Sequence, residues 1–441
     1  MKHHKKLLAA LITGALASSS VFATNGYAPH GIGMKSKGMG GVTIAHQGDA
    51  VAVGGNPAGS AWMEDRVDVG IDLFRPIRDA KISGNVFDTP FGPNTGSFNG
   101  DYDGSGVKLF PIPEFGYRRG LNDQIAFALS MFGNGGMNTD YKDGIPIFNL
   151  DPNTFTTDRT GINLSQLFIV PSMSYKLNSN HSIGVGLNLV AQGFKARGLS
   201  NFAMYSLEPS NLTNNDTEWS YGAGLRIGWM GKVSENVTLG ATYQSRTYMS
   251  EFDDYSGLFA EQGDFDVPAN FGAGIAVQAT PDLLIAADII RIQYSSVDSI
   301  SNPLSNLFYC QSDPSYCVGG DNGPGFGWED MTVYKLGVEY KLNPTLTLRA
   351  GYNHGKAPIP DSETLFNILA PATVEDHLTL GATWALNNDM EITAAYMHAF
   401  ENTIEGSGSI PPGNPPLGFG GGEADITMYQ DSLGVAFSWK L

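Results

Sequence analysis

Nowhere in these 441 residues does an apolar run approach the roughly 20 needed for a membrane-crossing helix. The longest candidate, "LLAALITGALA", is too short and sits behind Lys2, Lys5 and Lys6. With "SSSVFA" after it, small Val21 and Ala23 flanking Phe22, residues 1–23 read as a secretory signal with cleavage expected after Ala23. Helical membrane spans are excluded. Positive charge is also scarce, 26 basic residues against 44 acidic. Losing the three leader lysines would leave 23 − 44 = −21, which argues against nucleic acid as a partner. Cysteine is nearly absent. Cys310 and Cys317, seven apart in "YCQSDPSYCVGG", read as one disulfide closing a short loop of an exported protein; a metal pair would want a nearby histidine, and none is there.

Catalytic signatures are missing as well. There is no His-Glu-x-x-His and no Gly-x-Ser-x-Gly, and "GYNHGKA" fails as a nucleotide loop because position 350 is alanine and Lys356 is followed by Ala357. Asp376 and His377 form the one close acid–histidine pair on a strand-like segment, but neighbours on a strand point to opposite faces. "EFDD" (251–254) and "GWED" (327–330) could hold calcium at the outer rim, but solvated loops are the favoured reading. No enzyme activity, metal or cofactor is expected.

What is present is glycine, 55 residues, and alternation. "WSYGAGLRIGW" (219–229) puts Trp219, Tyr221, Ala223, Leu225, Ile227 and Trp229 on one face, and serine, glycines and Arg226 on the other. The bracketing aromatics lie roughly 33 Å apart at ~3.3 Å per residue. Tilted by about 40°, that strand covers about 25 Å, the height of the apolar band of an outer-membrane barrel. "HSIGVGLNLVA", "VYKLGVEYKL", "TLTLRAGY", "HLTLGATW" and "MEITAAYM" repeat the pattern. A soluble sandwich would also alternate, but strand after strand ending in Trp or Tyr on the apolar face favours lipid.

Short polar turns at 119–123, 177–181, 233–237, 280–283, 342–346 and 386–390 alternate with long irregular stretches near 79–107, 134–162, 198–216, 253–267, 300–330, 357–373 and 404–424. Short periplasmic turns and long outer loops are the habit of outer-membrane barrels. Six turns joining up–down pairs predict an all-β transmembrane, antiparallel barrel of about 14 strands over residues 66–441. The first strand is expected near Arg66 to Phe74, and "DSLGVAFSWKL" ends the chain as the closing strand. Such a barrel leaves a lumen. Residues 24–65, glycine-laden and without alternation, precede the first strand and are expected to sit inside as a hatch.

Here the chain resembles a known family. "NGYAPHGIGMKSKGMGGVTIAHQGDAVAVGGNPAGSAW" is similar to the N-terminal hatch of FadL-type outer-membrane transporters of long-chain fatty acids and hydrocarbons, including TodX-type members. The match rests on Asn25-Gly26-Tyr27, Gly40-Gly41, Asp49-Ala50 and above all Asn56-Pro57-Ala58, with a second stretch at 349–384. The resemblance implies a Gram-negative outer-membrane location and gated passive diffusion of a hydrophobic ligand, long-chain fatty acids first and neutral aromatic or aliphatic hydrocarbons as the alternative. It implies gating by Asp49, Gly26, Tyr27, Asn56, Pro57 and Ala58, a monomer, and outer-membrane lipid and lipopolysaccharide as surroundings. A polar-solute porin is the competing class, which should lack a hatch.

Apolar loop residues Ile145, Ile147, Phe148, Leu150 and Phe155, with Leu365, Phe366, Ile368 and Leu369, either bind the ligand or pack the loops on one another. The resemblance implies that fatty-acid members are expected to place a lysine just before the strand that begins here at Met331; this chain has Trp328-Glu329-Asp330. A buried carboxylate is costly when unpaired, so Arg159, Lys195, Arg197 or Arg226 must replace that lysine, or the ligand is neutral. Arg226 and Arg349 are expected in the lumen, facing acids such as Asp49, Glu339 or Glu391. Pro111, Pro113 and Pro171 fall within expected strands and each removes a ladder hydrogen bond. Together with "GNGG" (133–136) they mark the third strand as the place where the wall would open sideways.

Overall fold

The computed structural model describes residues 25–151, 154, 156–414 and 418–441. The expected leader, residues 1–23, and Phe155 lie outside the described residues. The alternating segments form fourteen barrel strands: β1 Arg66–Ser83, β2 Phe110–Gly120, β3 Ile125–Asn138, β4 Gly161–Lys176, β5 His181–Arg197, β6 Glu218–Lys232, β7 Val237–Gln244, β8 Asn270–Thr280, β9 Leu283–Ile292, β10 Met331–Asn343, β11 Leu346–Gly355, β12 Asp376–Ala385, β13 Met390–Ile404 and β14 Glu423–Lys440. Each pairs antiparallel with the next, and β14 closes on β1 in unbroken register from Arg66↔Lys440 to Ser83↔Glu423. Four short strands, Phe87–Thr89, Gly92–Gly96, Gly100–Asp103 and Tyr248–Met249, belong to the long connections.

Alternation sorts side chains as lipid outside and a filled lumen inside require. On β6, Trp219, Tyr221, Leu225 and Ile227 are exposed, whereas Ser220 and Arg226 are buried. All six short turns are found, and four share one device. Asn122, Asn178, Asn343 and Asn387 each follow a leucine and accept two backbone N–H groups of their own turn. One boundary differs from expectation. The first strand continues past Phe74 to Ser83 because Ala80 and Ile82 keep the inward alternation, packing opposite Ile426 and Ala424 of an equally long β14.

The wall is interrupted in one sector. β2 pairs with β3 only from Phe115↔Met131 to Gly120↔Ala126. Beyond that, Phe110 to Glu114 pair with β1 alone, and Phe132 to Asn138 with β4 alone. A register shift between Gly133 and Gly135 bulges Asn134 out of the β3 ladder. Pro111 and Pro113 are two apart, so both missing N–H groups fall on one edge of β2. Pro171 does less: pairing skips from Ile169↔Leu189 to Ser172↔Gly186 without losing register.

Residues 25–65 fill the lumen as the hatch. They form a helical turn, α1 Met34–Lys37, and two 3-10 turns, Ala52–Gly54 and Pro57–Trp62, nearly all buried. Above the hatch, the long connections pack on one another in the largest apolar cluster of the molecule, which includes Phe148, Phe194, Phe202, Phe259, Tyr294 and Trp328.

Candidate functional site

The hatch has almost no regular structure, so its buried N–H and C=O groups must find partners on the wall. Inward carboxylates supply them. Asp288 of β9 accepts from Thr43 N (2.7 Å) and Ile44 N (3.1 Å), and Asp68 of β1 accepts from Ala50 N (2.7 Å). Within the hatch, Asp49 accepts from Lys35 N (3.0 Å) and Ala52 N (2.9 Å). Asn56 caps the 3-10 turn by accepting from Ala58 N (3.1 Å), and donates to Ile44 O (2.7 Å) and to the wall at Trp229 O (3.1 Å). Charges reinforce the seat. Lys37 Nζ lies 3.0 Å from Asp72 and 3.3 Å from Glu114, and Lys35 meets Glu391, which also binds Arg66. Wall glycines let this backbone approach. A Cβ on Gly228 would overlap Asn56 Oδ1, and one on Gly351 would overlap the backbone of Gly40.

Two internal cavities flank the hatch's N-terminal end. The upper, about 50 Å³, lies among the loops and is lined by Phe148, Phe194, Phe202, Phe259, Phe326 and Phe366 with other apolar groups, Ser299 being its one polar side chain. The lower, about 70 Å³, lies between hatch and wall and contains Arg226, Lys335, Asn134, Asn270 and Gln244 beside hatch residues Asn25 and Ala28. Tyr27, between Asn25 and Ala28 in the chain, joins the apolar loop cluster, packed on Tyr294, Trp328 and Phe265 at ring separations of 5.4, 6.0 and 6.3 Å. Tyr294 donates its hydroxyl to Asn25 O, and Gly136 of the bulged β3 donates its N–H to Tyr27 O (3.3 Å). The hatch N-terminus thus bonds directly to the strand whose pairing is broken.

The loops over the upper cavity are clamped by Arg246, which holds Asp264 at 3.0 Å and Asp266 at 2.5 Å. Burial, then the neighbouring Asp266, pushes the Asp264 carboxyl up to about 7. Ser299 donates to Asp264 O, tying this clamp to the cavity lining.

The sequence profile of the outer membrane protein transport family (OMPP1/FadL/TodX) matches residues 9–408. The chain belongs to this family. Its fold is similar to those of the toluene transporter TodX of Pseudomonas putida (19% identity, 93% of this chain and 99% of that one, TM-score 0.68) and of a Pseudomonas aeruginosa FadL homologue (18%, 94% and 99%, 0.68). The Ralstonia pickettii toluene transporter TbuX is similar as well (20%, 93% and 99%, 0.60). Sequence comparison finds no match among curated proteins. This FadL/TodX-family transport protein therefore resides in the outer membrane of a Gram-negative bacterium, crossing it with strands.

Within this transporter the sequence-derived candidates separate into groups. Phe148, Phe366 and Leu369 line the upper cavity, whereas Ile147, Leu365 and Ile368 are buried in the surrounding apolar cluster and Leu150 packs at its edge. Gly26 adopts a left-handed φ of 67° against the Tyr294 ring. Pro57 and Ala58 open the 3-10 turn that packs on the wall, where Gly184 leaves room for their backbone. Cys310 and Cys317 are joined by a disulfide in the connection 293–330.

The basic candidates need correction. Only Arg226 faces the lumen. Arg159 pairs with Asp140, and Arg197 shares the outward parity of Leu187 and Leu189, so neither reaches a lumen ligand. Arg349 does meet Glu339 (2.7 Å), but Arg226 meets no acid among the described residues; it bonds Gln244 and lies 3.5 Å from Asn188 and from Gly55 O. Sequence reasoning passed over Lys335, whose Nζ donates to His30 O (2.7 Å) and Gly41 O (3.2 Å), and the hatch anchors Lys35 and Lys37. A signal existed for the anchors: two lysines in "GIGMKSKGMGG" precede strands whose inward positions carry Asp68, Asp72 and Glu114.

Proposed function

We propose that this transporter takes up hydrophobic compounds by gated passive diffusion and that long-chain fatty acids are its leading ligand class. The observation that carries the reading is an apolar cavity among the loops together with a buried cationic one beside the hatch residues Asn25 and Ala28. Arg226 and Lys335 are deeply buried and form no salt bridge among the described residues, an arrangement that suits a carboxylate arriving with the ligand. The hydrocarbon tail would occupy the aromatic cavity, and displacement of Tyr27 would join the two chambers. Because Tyr27 O is bonded to Gly136 N, the same displacement would free the bulged end of β3 and open the wall between β2 and β3 towards the membrane. Each chain encloses its own lumen, which supports action as a monomer.

A second reading, a neutral aromatic or aliphatic hydrocarbon, is favoured by the upper cavity alone. No cation lines it, and Trp328 stands in the segment where fatty-acid relatives are expected to carry a lysine. The polar-solute porin finds less support, since hatch and wall leave only about 70 Å³ between them at the lower cavity.

The discriminating experiment is uptake of radiolabelled C16 fatty acid and of a neutral aromatic hydrocarbon by cells lacking their own transporter. They would express the intact chain or a double variant, Arg226→Met with Lys335→Met. Fatty-acid uptake reduced at least tenfold with hydrocarbon uptake unchanged is the expected result. Equal uptake of fatty acid by both proteins would rule out the carboxylate role and leave the neutral-ligand reading.

A further inference from the structure

A third cavity, about 230 Å³, lies outside the lumen at the upper edge of the break in the wall. Phe110, where β2 has left β3, forms one side; Asn138 at the end of β3 and Asn163 of β4 form the other, with Asn138 Nδ2 donating to Asn163 Oδ1 (3.1 Å). Arg159 from the preceding connection and Lys195 and Arg197 of β5 complete it. Asn163, Lys195 and Arg197 share the outward parity of Leu167, Ile169, Leu187 and Leu189, so the cavity faces the bilayer side of the wall. Asn163 pairs with Lys195 two residues beyond Gly193, the partner of the girdle residue Trp219, which places the pair about 5 Å above the apolar band, at outer-leaflet headgroup depth.

Charge is reversed here relative to the rest of the molecule. In a chain of net charge −18, three cations share a cavity with one lining carboxylate, Asp140, already held by Arg159. Lys195 has only Asp216 at 3.2 Å, a side chain fully exposed to solvent, and Arg197 forms no salt bridge among the described residues. Counting Asp216 with Asp140, the local excess is one positive charge, on Arg197, and Lys195 is met only by a solvent-exposed carboxylate. We propose that this cavity binds the phosphomonoester headgroup of an outer-leaflet lipid, the lipid A portion of lipopolysaccharide. A phosphate monoester carries about −1.5 to −2 at pH 7, enough to engage Arg197 and to take Lys195 from the exposed Asp216. Guanidinium groups receive phosphate oxygens bidentately, and the two asparagine amides add neutral polar partners. The acyl chains of the bound lipid lie over Leu167, Leu187 and Leu189, directly beside the lateral break. The inference rests on the outer-membrane location and is independent of the transported ligand and of its exit route.

The test is native mass spectrometry of the intact purified protein with bisphosphorylated lipid A, with the same lipid after dephosphorylation, and with inorganic phosphate as competitor. Binding of the phosphorylated lipid alone is expected. It should weaken at least tenfold in Arg197→Ala and in Lys195→Gln, fall with added salt, and be unchanged in Lys81→Gln, a cation exposed elsewhere on the outer wall. Equal binding of dephosphorylated lipid, or wild-type binding by both cavity variants, would overturn the proposal. Full displacement by inorganic phosphate at concentrations comparable to the lipid would overturn the lipid as its source. Hydrophobe uptake measured on the same variants separates the two claims, because failure of lipid binding with uptake intact counts against this site alone.

Discussion

Lys37 is the most informative single residue of the hatch seat. Its ammonium lies 3.0 Å from Asp72 and 3.3 Å from Glu114, and the three side chains are at most 7% exposed. Replacing it with methionine preserves the stem but leaves two carboxylates facing one another in the lumen. Removing one partner of a buried ion pair costs about 3–5 kcal/mol. At about 1.4 kcal/mol per tenfold, that raises the population of displaced hatch by roughly 100- to 4,000-fold if the cost falls on the seated state. Single-channel recording in planar bilayers should therefore show open events in Lys37→Met that the native protein lacks, together with a lowered Tm. Adding Asp72→Asn and Glu114→Gln to the same variant removes the orphaned charges and should restore most of the closed state. A Lys37→Met protein as closed and as stable as the native one would refute the electrostatic seating, and so would failure of the added neutral substitutions to help.

Asn56→Ala should cost about 1–3 kcal/mol by orphaning Ile44 O and Trp229 O, read as a lower Tm and faster proteolysis of residues 44–62. Gly228→Ala should unseat the same turn from the wall side, with a comparable cost of about 1–3 kcal/mol from overpacking and the same proteolytic signature. Phe202→Ala removes a ring shared by the upper cavity and the loop cluster; a loss of about 3–5 kcal/mol is expected, measured by denaturation of the purified protein. Asp264 provides a pH test. Its folded carboxyl titrates at about 7 against an ordinary 3.8, so the folded loop binds that proton more tightly. The stabilisation is full below about pH 4 and lost as pH rises through 7. Amide protection factors over residues 245–269, corrected for the pH dependence of intrinsic exchange, should be higher at pH 5.5 than at pH 8, and Asp264→Asn should flatten the difference.

The barrel was legible because a lipid-facing wall leaves a strict imprint: every second residue apolar, aromatics at the ends, and leucine–asparagine turns between. β6 carries the alternation and both bracketing aromatics within fifteen residues. Apart from its resemblance to a family hatch, the hatch was legible only as an absence of alternation, because its fold depends on partners 200 or 300 residues away. Asp288 meeting Thr43 and Thr379 meeting Gly40 N have no local signal. The wall glycines carry no local signal of their role: Gly228 and Gly351 leave room for the hatch backbone that presses on them. Basic residues were the hardest to place, since parity decides which side of the wall each one faces. Arg226 keeps inward parity, whereas Arg197 differs from its neighbours by one step and so points at the membrane.

The central claim is that hydrophobic compounds enter above the hatch and leave through the break between β2 and β3. The direct test is to mend the break by Pro111→Val and Pro113→Val with deletion of Asn134, then measure uptake of labelled C16 fatty acid and aromatic hydrocarbon in transporter-deficient cells. The account predicts a correctly inserted barrel whose uptake of both compounds is abolished. Undiminished uptake through the mended wall would contradict it.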